Sequence, residues 1–195
     1  MVRVLDAALL ALAGAILLLG GSTAPLVAAP EMVSAVISPH NTRIGFVING
    51  IGWPQTRGSF QAFTGHLEVD FANPARSHVD VTIKAASVDA GGSSITDYIK
   101  SSSMLDVVKH PIMSFRSTAV RRTGPATVAL SGQMSFFGAI RPATFIVRIL
   151  SKPGHRPLAF VATGAIQRSA FGFNSGQPII SDTAQINISS KGPGL

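Results

Sequence analysis

The chain has no cysteine among its 195 residues, which excludes disulfides, thiol nucleophiles and thiolate metal sites. Aromatic residues with a polar edge are almost missing: Trp53 and Tyr98 are the sole tryptophan and tyrosine. A surface that stacks single-stranded nucleic acid needs more aromatics beside basic groups, so no nucleic-acid partner is expected. Acidic residues are scarce, nine against sixteen Lys and Arg, and the net charge is +7. The cations are scattered, with only Arg121 and Arg122 adjoining. Such a balance suits an acidic ligand or an anionic membrane surface. The sequence contains no G-x-S-x-G elbow, and Gly91-Gly92 opens a loop with no phosphate-binding fingerprint after it. The five histidines are too dispersed for the close spacing of a metal pair. Asp89, Asp97 and Asp106 flank one loop and read as turn and cap residues rather than an acid/base pair. No catalytic residue, metal site or cofactor is expected, and the chain does not read as an enzyme.

Long apolar runs are absent after residue 29. Before it, Arg3 is followed by a nearly unbroken apolar run from Ala7 to Gly21 and by small residues up to Ala29. That is the layout of a secretory signal at 1–29, with cleavage near Ala28 or Ala29. The rival, an uncleaved anchor, needs about 18–20 apolar residues, more than this run supplies. Removing 1–29 takes away Arg3 and Asp6 together, so the net charge does not change. Residues 30–195 are then one exported domain, large enough for a hydrophobic core.

Period-two alternation fills that domain. Apolar or small residues recur at Ile44, Phe46 and Ile48; Leu67 and Val69; Val79, Val81, Ile83 and Ala85; and Met113, Phe115 and Ser117. They continue at Val128, Leu130, Gly132 and Met134; Ala143, Phe145, Val147 and Ile149; Leu158, Phe160, Ala162, Gly164 and Ile166; and Ala184, Ile186 and Ile188. The pattern predicts eight strands, each with one apolar face. Turn signals at 73–77, 121–126, 151–157 and 173–178 leave no room for crossovers, so the sheet is antiparallel. Ser93 to Lys109 lacks alternation, and a short helix is expected over Ser94 to Ser103, capped by Ser94 or Thr96. The fold class is therefore all-β. Eight strands with one apolar face close on themselves or meet a second sheet, and closure leaves no exposed edges. Gly132, Ala143, Ala162, Gly164 and Ala184 stand on the inner face. They either accommodate bulky neighbours in a packed core or leave a lumen.

The stretches IGFVI at 44–48, GSFQAFTGHLEVD at 58–70 and NPARSHVDVTIKAASVD at 73–89 carry a resemblance. So do LDVVKHPIMSFRST at 105–118, LSGQMSFFGAIRPATF at 130–145 and GAIQRSAFGF at 164–173. In order and spacing, from about Asn41 to Ile188, the chain resembles the YceI family of exported bacterial proteins. The resemblance implies an eight-stranded antiparallel lipocalin-like barrel with a short helix beside its mouth, periplasmic or secreted. It implies a tunnel holding a polyisoprenoid, including quinones or prenyl phosphates, or another long-chain amphiphile, with fatty acids or amides as the next class. A homodimer is left open, and so is a self-filled barrel serving as an envelope interaction module. The family's polar positions are largely replaced here: they fall on Asn41-Thr42, Gly50, Ile95 to Ile99, Phe137 and Ala170, while Arg168, Phe171 and Gly172 remain.

Within that frame, pattern and resemblance together nominate Phe46, Ile48, Phe60, Phe63, Ile99, Met104, Phe115, Phe137, Phe145, Phe160, Arg168 and Phe171 as ligand-binding residues. Arg168 could touch a ligand or clamp a backbone carbonyl. Burying ten tail carbons stabilises a complex by about 8 kcal/mol before association costs. One charge-assisted hydrogen bond to a head group adds only about 1.5–3 kcal/mol. The tail therefore sets affinity, and losing polar positions relaxes or changes head-group choice.

Overall fold

The structure, a computed structural model, describes residues 32–52, 55–151 and 158–190. The proposed leader at 1–29, Trp53 and His155 lie outside them. Among the described residues there are eleven strand segments: β1 (Met32–Ile37), β2 (Thr42–Gly50), β3 (Thr56–Phe60), β4 (Phe63–Asp70), β5 (His78–Lys84), β6 (Val88–Asp89), β7 (Ile112–Gly124), β8 (Thr127–Phe136), β9 (Ala139–Ile149), β10 (Phe160–Gln167) and β11 (Ile180–Ser190). One helix, α1 (Ser93–Lys100), sits between β6 and β7.

All eight expected strands occur, as β2, β4, β5 and β7 to β11. The count differs because three strands are broken by corners. β1 and β2 are joined by the turn at 38–41, where Asn41 accepts from the Ser38 N–H and donates to the Val36 carbonyl. β3 and β4 meet at Gln61-Ala62, and β5 and β6 meet at a 3-10 turn, Ala85–Ser87. Each half keeps its own antiparallel partner: β1 pairs β4, and β2 pairs β3. β4 pairs β5, and β3 pairs β6. The ladder then runs β5-β7-β8-β9-β10-β11 and returns to β2. Counted through its corners, the sheet is an eight-membered antiparallel ring. The corners let long strands coil around a small barrel, which straight strands could not do.

The up-and-down order gives the barrel two different ends. One, here the turn end, carries the β4–β5 and β7–β8 connections. The other, the helix end, carries α1, the β8–β9 turn and the β10–β11 connection. α1 forms where Ile95 and Ile99 recur at helical spacing, and Ile99 is buried. Its bounds confirm a short helix, but its cap differs from the expectation. Gly92 holds the N-cap position, and the Thr96 hydroxyl instead accepts from the Ala90 N–H upstream. After the helix, Met104 and Leu105 are buried beneath it in the same cluster as Phe46, Met113 and Phe136. This packing seats the long loop on the barrel end.

Candidate functional site

The inner face surrounds a cavity of about 870 Å³. Its volume lies in the upper part of the range for small-molecule sites. The wall runs from Tyr98 and Ile179 at the helix end to Pro74 and Thr127 at the turn end, so the cavity follows the barrel axis. Aliphatic side chains and phenylalanines make most of it. The two readings of the small inner residues prove compatible. A Cβ on Gly164 would come 2.6 Å from the Phe145 ring, and one on Gly132 would come 2.6 Å from the Phe115 ring. On Gly58 it would collide with the ring of Phe46. Phe46 stands directly opposite Gly58, and Phe145 directly opposite Gly164. Each glycine lets a neighbouring ring lie along the wall instead of across the lumen. The glycines accommodate bulky neighbours, and the lumen remains because they do.

Nine of the twelve nominated residues line this cavity: Phe46, Ile48, Phe60, Ile99, Met104, Phe115, Phe145, Phe160 and Arg168. The other three do not. Phe63 is buried at the corner between β3 and β4 and packs with Ile44 and Leu67. Phe137 forms the two-residue β8–β9 turn with Gly138, both at positive φ, 50° and 79°. Hairpins favour that geometry, but a bulky residue at positive φ is uncommon. Here the ring is held between His110, 4.3 Å away, and Phe173, 5.1 Å away. Phe171 is buried with its ring edge against Phe136, at 5.4 Å. The aromatic lining residues the sequence reading passed over are Phe71, Tyr98, Phe136 and Phe173. Phe136 continues the alternation of Leu130, Gly132 and Met134, so extending the strand by one step would have found it. Phe173 had no periodic signal, because it sits in an irregular turn.

Arg168 lines the cavity and also forms a clamp on the backbone. Its side chain is 1% exposed, and its guanidinium donates to three backbone carbonyls, those of Ser181, Ser175 and Ile180, at 2.9, 3.0 and 3.2 Å. It also lies 4.8 Å over the Phe173 ring. Burial lowers its pKa, and the nearby Asp182 carboxylate works in the opposite sense. Asp182 is itself fixed by Ser169, whose hydroxyl and N–H donate at 2.6 and 2.7 Å, and by the Gln177 amide at 2.8 Å. These bonds, the Ser169 hydroxyl foremost, hold its carboxyl below the usual aspartate range.

Among the described residues only two other charged ones line the cavity, Asp70 and Arg122, both at the turn end. Asp70 is 1% exposed, accepts from the Asn73 N–H, and pairs with Arg76 at 3.6 Å. It braces the β4–β5 turn. Arg122 is exposed and donates to the Phe71 carbonyl at 2.7 Å. Among the described residues no group of three His, Asp or Glu side chains converges as a metal site would require. His66 and His78 are exposed, as their alternation suggested.

Comparisons with known proteins agree with this architecture. A UPF0312 protein of Azotobacter vinelandii (strain DJ / ATCC BAA-1303) is 34% identical over 109 residues, 56% of this chain and 57% of that protein. A UPF0312 protein of Pseudomonas putida (strain GB-1) is 31% identical over 153 residues, 76% of this chain and 79% of that one. Among solved structures, Burkholderia cenocepacia BcnA aligns with a TM-score of 0.70 at 24% identity, over 76% of this chain and 94% of that one. A polyisoprenoid binding domain from Saccharophagus degradans, implicated in plant cell wall breakdown, aligns at 0.57 and 12% identity, over 84% of this chain and 100% of that one. The family model of the YceI-like domain matches residues 36–191, and the chain belongs to that family.

Proposed function

We propose that the chain is an exported binding protein that holds an isoprenoid lipid, or another long-chain amphiphile such as a quinone or fatty acid, in its barrel for sequestration or transport. One observation carries the reading: the apolar cavity of about 870 Å³ that follows the barrel axis. Water gains little in such a lumen, whereas an alkyl or prenyl chain is stabilised by about 0.8 kcal/mol per methylene buried. The structural likeness to a domain described as polyisoprenoid binding supports an isoprenoid as the first ligand to try. The alternative, an interaction module with a self-filled barrel, would have its side chains crossing the axis, and here the rings of Phe46, Phe115 and Phe145 lie on glycines instead.

The test is native mass spectrometry of the mature protein purified from its own host, followed by solvent extraction. A species of several hundred daltons released only on denaturation is the expected result. A protein that arrives empty and also fails to take up added farnesol would refute the reading.

A further inference from the structure

β7 is expected to alternate through Met113, Phe115 and Ser117, which would turn Arg121 inward and Arg122 outward. The structure shows otherwise. A β-bulge between Ser117 and Ala119 sets two residues, Thr118 and Ala119, against Ser131 alone. Beyond it the register puts Val120 opposite Leu130 and Arg122 opposite Val128. Val128 in turn stands opposite Val147 on β9, and all of these line the cavity. A one-residue insertion exchanges the faces of the strand that follows. The bulge therefore delivers a guanidinium to the lip of a mostly apolar lumen.

Arg122 differs from the other two charged lining residues in what it has left to offer. Arg168 is spent on three carbonyls, and Asp70, whose Oδ1 takes the Asn73 N–H while its buried Oδ2 faces Arg76 at 3.6 Å without a hydrogen bond, is a carboxylate with no donor to offer. Within the described residues Arg122 uses one of its five N–H donors, toward the Phe71 carbonyl. That bond steadies it against the β4–β5 turn with the rest of the fork available. The exposed Arg121 and Arg148 flank it on β7 and β9. The helix end differs: exposed Ile51, Tyr98, Val108, Ile112, Ile140 and Ile179 stand there, and its exposed cations Lys84, Lys109 and Arg141 do not line the cavity.

From this polarity we infer that the tunnel binds an anionic amphiphile in one orientation, its phosphate or carboxylate on Arg122 at the turn end and its tail running toward α1. The inference rests on the lipid-binding reading above and adds to it the residue that meets the head group and the direction in which the ligand lies. A planar fork pairs with two oxygens of a phosphate or carboxylate, and the low-dielectric wall beneath strengthens the bond.

Farnesol and farnesyl phosphate share one tail and differ only in the head, so their affinities for the full mature protein separate the two claims. Isothermal titration is expected to show farnesyl phosphate binding about ten- to one-hundred-fold tighter than farnesol. In Arg122→Gln the ratio of the two affinities is expected to fall toward one, and Arg122→Lys is expected to fall between. Added salt is expected to narrow the gap in the unsubstituted protein, a measurement that needs no variant. Equal binding of the two probes, or a gap that Arg122→Gln and salt leave intact, would overturn the inference and leave lipid binding standing. Failure of both probes would overturn the two together. Inorganic phosphate binding as tightly as farnesyl phosphate would also overturn it, because the anion site would then be independent of the tunnel.

Discussion

Replacing Arg168 by methionine tests whether this buried cation serves the fold or the ligand. Methionine keeps most of the volume and removes the charge and all five donors. Three carbonyls, those of Ser175, Ile180 and Ser181, then lose their partner. Each bond to a charged donor is worth about 1.5–3 kcal/mol net, and an unsatisfied buried acceptor costs about 1–3 kcal/mol. Two effects reduce the sum. The guanidinium is fully buried, so removing it also removes its desolvation penalty, which amounts to several kcal/mol. The three carbonyl-bearing residues are half-buried, so water can replace part of what is lost. A net loss of about 2–4 kcal/mol remains. At about 2–4 °C per kcal/mol for a domain of this size, Tm drops by about 10 °C. The loss falls on the β10–β11 connection, which the arginine ties together. Thermal unfolding followed by circular dichroism reads the stability, and farnesol titration well below the lowered Tm reads binding. The clamp account requires a large fall in Tm with farnesol affinity changed less than about threefold. An unchanged Tm with farnesol binding abolished would refute it and return Arg168 to the ligand.

Other substitutions probe the wall and the charge around it. Gly164→Ala forces the Phe145 ring off the wall: it should destabilise by about 1–3 kcal/mol in urea titration and weaken farnesol binding as the ring enters the lumen. Ala162 is 4% exposed and lines the cavity, so Ala162→Phe should occupy the tunnel, reducing farnesol affinity at least tenfold without lowering Tm; retained affinity would mean the ligand lies elsewhere. Asp182 has its folded pKa depressed, so its stabilisation is present above the unfolded value of about 3.9 and is lost as pH falls through the folded one. Asp182→Asn should therefore be less stable than the parent protein at pH 7, with the two Tm values converging below about pH 4.

The sequence made the ring of strands legible because alternation over five or more residues has no competing explanation once turn signals bound it. Phe46, Phe115, Phe145 and Phe160 follow directly from that alternation and all line the cavity. What period two could not register were the places where the period breaks. The corners at 38–41, 61–62 and 85–87 turned three expected strands into six, since a corner is set by how a long strand bends around its neighbours and not by a local run. Phe63 and Phe171 were misplaced beside such irregular backbone. Phe137 was misplaced for another reason: resemblance pointed to the position, but its positive φ turns the ring onto His110 and Phe173 at the barrel's end.

The same limit explains why Arg122 drew no notice. In sequence it is half of an Arg-Arg pair in a turn-rich stretch, and simple alternation sends it to solvent. Its position follows from one unpaired residue four places back in the chain, between Ser117 and Ala119. Ser117 shows what holds that irregularity in place: it is buried at 6% exposure, and its hydroxyl accepts from the Val79 N–H at 2.9 Å on the neighbouring strand. The side chain ties β7 to β5 one residue beyond Asp80 and Arg116, where their ladder ends. If the bulge sets the polarity of the tunnel, Ser117→Ala should act at a distance. Loss of that bond costs about 1 kcal/mol in stability. It should also loosen the register of the last third of β7, so that the preference for farnesyl phosphate over farnesol shrinks although no residue on the lip has changed. Hydrogen exchange of the Val120 and Arg122 amides would report the loosened register directly. A Ser117→Ala protein with faster exchange there and an intact preference would separate the bulge from head-group choice, and a protein with both unchanged would show that the register of β7 is held by the barrel as a whole.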